Sequence, residues 1–219
     1  MKIKALVAVR SGSTRVLNKN MRPFAGKNLL QIKIEQLLRI PELDGVVINS
    51  NDDEMLKLAA SFGCETVKRD QYYASNSVSM SEVYRNMAEQ MDTDVIVYAN
   101  ATNPLLEDLT ISITEFVEND GRYDSLNSAH LIKEFLFKEN LPINYDLRNQ
   151  PRSQDLPDIA ALNFAVNILY RDTMIECKNV VGIKPKIFLI DEVEATDIDN
   201  PLDFEFAEFV YKKRKMREA

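Results

Sequence analysis

Residues 3 to 9 read Ile-Lys-Ala-Leu-Val-Ala-Val, an apolar run broken only by Lys4. A strand with both faces covered has this pattern, and such strands belong to parallel sheets sandwiched by helices. The first half of the chain repeats the theme. Leu29, Leu30, Ile32, Ile34, Leu37 and Leu38 follow helical spacing, and Pro41 stops that helix. Gly45 to Asn49 is a second strand. Asp52 or Asp53 can cap a helix to Phe62, with Gly63 as its stop. Cys64 to Val67 makes a short third strand. Ser79 or Ser81 opens a helix through Met91, with Glu82 placed for a capping box. Asp94 to Tyr98 is a further strand, and Asp108 begins a helix to about Asn119. Alternation of this kind predicts βαβ units with right-handed crossovers: an α/β, Rossmann-like, mostly parallel sheet with helices on both faces. Ligands of such sheets bind at the carboxyl ends of the strands. That rule gathers the loops after Val9, Asn49 and Tyr98 on one edge.

The second half reads differently. From Ser125 to about Asn167 the segments are shorter and more polar, with Pro142, Pro151 and Pro157. A small inserted lobe over 127–165 is expected within a single domain spanning 1–219. Phe164 to Tyr170 and Lys186 to Ile190 then read as strands, and Pro201 to Met216 as a closing helix. The basic run Lys212 to Lys215 sits where cations complement a helix dipole.

The net charge is −7, from 27 basic and 34 acidic residues, which argues against nucleic acid or an anionic membrane as partner. Cys64 and Cys177 are too few for a disulfide framework or a zinc site, and fit a reducing cytoplasm. The one histidine, His130, lies in a strand-like segment and reads as structural or merely exposed. The chemistry therefore falls to cations, carboxylates and a metal ion. No signal peptide pattern and no membrane-length apolar stretch is present.

The loop after the first strand carries Arg10, Arg15 and Lys19, the hydroxyls of Ser11, Ser13 and Thr14, and a single glycine, Gly12. These are groups that can hold polyphosphate; an ordinary exposed loop with solvated charges is the other reading. The pattern is neither a three-glycine dinucleotide fingerprint nor a P-loop, which disfavours both ligand types. Asp197-Ile198-Asp199 sets two carboxylates on one side of an extended chain. That suits Mg²⁺ shared with a substrate phosphate; an acidic helix start before Pro201 is the other reading. Tyr98 to Leu105 ends a strand in Asn100-Ala101-Thr102-Asn103-Pro104, able to bind a base or sugar or simply to turn. Arg69 and Ser75-Asn76-Ser77 precede a helix start, a second place for an anion or base, or ordinary capping. Arg152, in the polar lobe, could clamp an anionic substrate or face solvent.

Together these motifs resemble the CMP-sugar synthetases, the acylneuraminate cytidylyltransferase family. The family's opening Arg-x-Gly-Ser element is matched by Arg10 to Asn20, and its Arg-Pro-x-x-Gly-Lys element by Arg22 to Lys27. Ser50-Asn51-Asp52, Arg69 to Asn76, Asn100 to Leu106, and Asp197 with Asp203 and Glu208 match later motifs in order. The resemblance implies transfer of CMP from CTP to a sialic-acid-like nonulosonic acid, with release of pyrophosphate. It implies Arg10, Arg15 and Lys19 on the triphosphate and at the reacting phosphate. Ser11, Gly12, Ser13, Asn20, Arg69, Ser77 and Asn100 would bind the nucleotide. Asn103, Arg152 and Asn163 would face the acceptor, and Asp197 and Asp199 would bind Mg²⁺. It also implies a homodimer whose 127–165 lobe reaches the partner's site. The chain departs from the pattern at Asn163, where an arginine is usual nearby, and at Leu106, another arginine position. KDO cytidylyltransferases, which are similar in the Gly-Ser-Thr-Arg element, another NTP or a sugar-phosphate acceptor, and a non-catalytic nucleotide-binding relative are the alternatives.

Overall fold

The computed structural model describes residues 1–218. In chain order the first elements are β1 (Ile3–Ala8), α1 (Leu29–Leu37), β2 (Gly45–Ser50), α2 (Asp53–Ser61) and β3 (Glu65–Lys68). Next come α3 (Gln71–Ala74), α4 (Met80–Glu89), β4 (Val95–Ala99) and α5 (Thr110–Val117). The second half holds β5 (Ser125–Ile132), β6 (Phe137–Lys138), β7 (Leu141–Pro142), β8 (Ile159–Tyr170), α6 (Arg171–Cys177), β9 (Pro185–Leu189) and α7 (Pro201–Glu218). Among the described residues, seven strands form one sheet in the order β3-β2-β1-β4-β8-β5-β9. Strands β1 to β4 are parallel to one another, β9 is parallel to β5, and β8 runs antiparallel to both its neighbours. The expected mostly parallel α/β architecture is the observed one.

The apolar run of β1 is continuous because both faces are covered. Ala5 and Val7 pack on one side with Leu30, Ile34 and Leu37 of α1 and Ile113 and Phe116 of α5. Leu6 points the other way, among Val83 and Met87 of α4 and Met174 of α6. A third cluster lies off the sheet, where Phe204, Ala207 and Tyr211 of α7 meet Val16, Phe24, Leu105 and Ile198. Phe24 packs edge-on against Phe204, with ring centroids 5.3 Å apart. Helix α7 thus ties three loops of the ligand edge together.

Helix starts follow the sequence. Asn28, Asp52 and Ser79 accept hydrogen bonds from backbone N–H groups in the first turns of α1, α2 and α4. Helix α4 ends at Glu89, before Met91, and α5 is shorter than expected, beginning at Thr110, whose N–H Asp108 accepts. Helix α6 was not legible, because its seven residues bury only Met174.

The polar lobe is narrower than 127–165. Its two ends are strands of the main sheet, with β5 and β8 paired from Ser125↔Leu169 to Ile132↔Ile159 around an irregularity near Ser128. Their polar residues pair with each other inside the sheet. Asn167 Nδ2 donates to Asn127 Oδ1 at 2.6 Å, and Asn127 Nδ2 donates to Ser125 Oγ at 2.9 Å. Polar residues of this kind look unlike a sheet interior in the sequence and stand in strands in the fold, with Asn167 Oδ1 left buried without a partner among the described residues. What protrudes is 133–158, with the short β6–β7 ladder and a 3₁₀ turn at Ser153–Asp155. Among the described residues, no helix is long and apolar enough to cross a membrane.

Candidate active site

The carboxyl ends of β1, β2 and β4 open on one edge, as the parallel register requires. A cavity of about 290 Å³ lies there. The loop after β1 contributes Arg10, Gly12, Ser13, Arg15, Lys19 and Asn20 to its wall. Asn100 and Thr102 come from the loop after β4, and Asp199 from the approach to α7. Val16 is 2% exposed and plugs the loop into the α7 cluster, so cationic groups on either side of it face outward. Gly12 has φ +87°, a left-handed conformation that a side chain would strain. Asn20 is buried, and its Oδ1 has no hydrogen-bond partner among the described residues. A donor on a ligand would satisfy it.

The acidic pair divides its labour. Asn200 Oδ1 accepts from the N–H of Asp203, and Asp203 Oδ2 accepts from the N–H groups of Asp199 and Asn200. This capping box starts α7 and leaves the Asp199 side chain free to face the cavity. Arg15 Nη2 lies 2.9 Å from Asp199 Oδ1, and Lys19 Nζ lies 3.7 Å from it. Lys19 also donates to the carbonyl of Ile198. Asp197 sits deeper and does not line the cavity. Burial pushes its carboxyl above the usual range; the Thr102 hydroxyl opposes that shift, and the Asp199 charge adds to it. Its Oδ1 is buried without a partner. Two carboxylates, one with an orphaned oxygen, fit a hard divalent cation that takes its remaining ligands from substrate phosphate and water. Among the described residues, no group of three or more His, Cys, Asp or Glu could hold a metal ion.

A second cavity of about 330 Å³ adjoins the first and shares Ala8, Arg10 and Asn76 with it. Val83, Met87 and Tyr98 give it an apolar wall, with Arg69 as its buried cation. Arg69 Nε donates to Asn49 Oδ1 at 2.5 Å, and Nη2 donates to Asn49 O at 3.0 Å. No carboxylate pairs with this guanidinium among the described residues. Burial lowers its pKa from the ordinary value, Tyr98 opposes the shift, and Arg10 adds to it. Arg10 bridges the cavities, donating from Nη1 to Ala74 O at 2.6 Å and from Nη2 to Asn76 Oδ1 at 2.9 Å.

The remaining residues singled out from sequence stand elsewhere. Ser11 turns toward β2, its N–H donating to Asn51 Oδ1 and its hydroxyl accepting from Asn51 Nδ2. Ser77 is exposed, paired with the Ser75 hydroxyl at 2.9 Å. Asn103 is fully buried and faces no cavity; its Nδ2 donates to Thr196 O at 3.0 Å. A fastening role stands where an acceptor contact was expected: Nδ2 is spent on the acidic loop, while Oδ1 is buried without a partner among the described residues. Arg152 is exposed on the protruding segment and paired with Asp155 at 2.7 Å, away from its own chain's cavities. Asn163 Oδ1 accepts from Ser128 Oγ at 2.6 Å, holding the irregular turn of β8 whose Phe164 carbonyl accepts from Asn100 Nδ2. His130 lies opposite Ala161 in the sheet and lines neither cavity. Sequence reasoning missed Asn49, the Arg69 partner, and also Lys33 and Gln36, which hold the loop after β4 from below. A lysine and a glutamine on an otherwise apolar helical stripe were the available signal.

Comparison with known proteins matches this edge to a family. The sequence profile described as cytidylyltransferase matches residues 4–157, which include the cation loop and both cavities' strands. The chain belongs to the cytidylyltransferase family. It is an enzyme of nucleotidyl transfer. This cytidylyltransferase is 25% identical to the pseudaminic acid cytidylyltransferase of Campylobacter jejuni over 97% of each chain. It is 26% identical to the CMP-N,N'-diacetyllegionaminic acid synthase of the same species, over 98% of this chain and 97% of that one. Among solved structures, a CMP:2-keto-3-deoxy-manno-octonic acid synthetase complexed with CTP superposes with a TM-score of 0.70 at 13% identity. The match covers 98% of this chain and all of the other, and shows the shared fold.

Proposed function

We propose that this cytidylyltransferase transfers CMP from CTP to a hydroxyl of a nonulosonic sugar acid and releases pyrophosphate. The observation that carries the proposal is the convergence of Arg10, Arg15, Lys19 and Asp199 on one cavity at the carboxyl end of β1. The names of the full-length relatives, which act on pseudaminic and diacetyllegionaminic acids, point to the acceptor class.

In this reading the cation loop cradles the triphosphate, and Arg10 stands where the two cavities meet. Arg69 and the apolar wall of the second cavity hold the nucleoside. The sugar hydroxyl attacks the α-phosphorus and gives up its proton to solvent, a new O–P bond forms, and the bond to the β-phosphate oxygen breaks. Arg15 and Lys19 balance the charge that gathers on the departing pyrophosphate, a contribution made mostly by position and preorganised charge. Asp197 and Asp199 would hold Mg²⁺, which when bound supplies Lewis-acid neutralisation of phosphate charge. Asn100 and the β8 turn at Asn163 border the acceptor side with neutral amides. A homodimer completes the reading. Phe137, Leu141, Ile143 and Leu147 on the protruding segment are each at least half exposed, a surface that a second copy would cover. That assembly would bring Arg152 to the partner's acceptor.

The test is a pyrophosphate-release screen of the four NTPs against nonulosonic acids, KDO and sugar phosphates, with and without Mg²⁺. Release with CTP, Mg²⁺ and a nonulosonic acid is expected. Faster release with another NTP, or with KDO or a sugar phosphate as the preferred acceptor, would overturn the assignment.

A further inference from the structure

Lys33 is 1% exposed in the middle of α1. Among the described residues no carboxylate forms an ion pair with it. Its Nζ lies 3.0 Å from the carbonyl oxygen of Asn103 and 3.1 Å from that of Leu106. Gln36, three residues on along the same face, donates from Nε2 to Pro104 O at 2.7 Å. The N–H of Ile198 donates to Thr102 O at 2.9 Å, and Arg214 Nη1 of α7 donates to Leu105 O at 2.7 Å. Every carbonyl from Thr102 to Leu106 is therefore held by a donor from outside the segment. Asn103 and Leu105 are fully buried, so solvent cannot serve this irregular stretch. Asn103 passes the constraint on: its Nδ2 donates to Thr196 O at 3.0 Å, next to Asp197.

We propose that Lys33 is a positioning residue for the acidic pair. By holding the carbonyls of Asn103 and Leu106 it fixes the platform on which Asp197 and Asp199 are presented to the cation loop. The proposal rests on the reading of those two residues as metal carboxylates. A methionine would fill the same space without the cost of burying an amine, and would leave two buried carbonyls without donors. The chemistry of the site suits a lysine whose charge is suppressed. Burial holds the Lys33 amine down to about 7, with the Glu107 charge opposing. A neutral amine has two hydrogens, one for each carbonyl.

The experiment compares Lys33→Met, Asn103→Ser and a control, Leu37→Ala, in the full chain. Leu37 is buried on the same helix but packs into the sheet core. Free Mn²⁺ is followed by electron paramagnetic resonance in the presence of CTP, and metal-free CTP binding is followed by calorimetry. Lys33→Met and Asn103→Ser should each weaken Mn²⁺ binding roughly tenfold, as loss of an outer-shell support does, with metal-free CTP affinity within about twofold of wild type. Leu37→Ala should lower Tm yet leave Mn²⁺ affinity unchanged. Unchanged Mn²⁺ affinity in the two variants, or an equal loss in Leu37→Ala, overturns the inference while the metal reading stands. Should Lys33→Met not fold, Asn103→Ser decides. A wild-type protein that binds CTP but no Mn²⁺ overturns the metal reading, and this inference with it.

Discussion

Lys33 gives stability a pH dependence with a definite sign. In the unfolded chain its amine has the ordinary value of 10.5, and in the fold burial brings it down to about 7. Well below pH 7 both states carry the proton and Lys33 adds no slope. Between about 7 and 10.5 the unfolded chain binds more protons than the folded one, so stability rises with pH. From pH 7 to 9 the difference approaches one proton over two pH units, starting from half-titrated, which is worth about 2 kcal/mol. Lys33→Met removes this slope. It also strands two carbonyls, an offset that does not titrate. Urea unfolding of both proteins at pH 7, 8 and 9 separates the two effects. The stability of wild type minus that of the variant should climb by about 2 kcal/mol across the series. A difference that stays flat, or that falls with pH, would show that the amine is charged in the fold and would refute the argument.

Asp199→Asn should strengthen metal-free CTP binding, because the carboxylate that occupies Arg15 and Lys19 is gone. The Arg15–Asp199 pair is exposed and Lys19 stands farther off at 3.7 Å, so the gain is at most about 1 kcal/mol, or fivefold; calorimetry showing weaker metal-free binding, or an intact Mg²⁺ gain, counts against it. Lys19→Ala should leave the far-ultraviolet circular dichroism spectrum unchanged and lower kcat/KM about a hundredfold or more. A loss under fivefold would remove Lys19 from the chemistry. Replacing Leu141 and Leu147 together by Glu should turn a dimer into a monomer by light scattering, with Tm of the main sheet little changed. A wild-type protein that is itself monomeric would reject the homodimer.

The parallel half of the sheet was legible because local signals and tertiary demands agree there. Caps at Asn28, Asp52 and Ser79 flank apolar runs with a clear period, and each element packs where its pattern says it should. Strand β5 and the first half of β8 were obscured because the segment is polar: Asn167 donates to Asn127 across the sheet, a pairing no linear pattern displays. The cation loop stood out in composition, but an ordinary exposed loop with solvated charges has the same composition, and only the later motifs in order single it out. The bracing beneath it could not be read. Lys33 and Asn103 are 70 residues apart, and their contact runs through a backbone carbonyl that has no sequence signature.

The site does without a glycine-rich cradle, and that choice shapes its electrostatics. A P-loop offers backbone N–H groups, which need no counter-ion while they wait for phosphate. In the proposed reading side-chain cations would do this instead, and they are already engaged: Arg15 and Lys19 with Asp199, Arg10 with Ala74 and Asn76. Three cations against Asp197 and Asp199 leave a small positive remainder, far less than a triphosphate carries. The pocket alone therefore cannot balance its proposed ligand. A divalent cation on the two aspartates would both release Arg15 and Lys19 to the phosphates and bring the charge still missing. Asp199, which pairs with Arg15 and Lys19, would then exchange them for the cation as substrate arrives, which would make metal and nucleotide binding mutually reinforcing rather than independent.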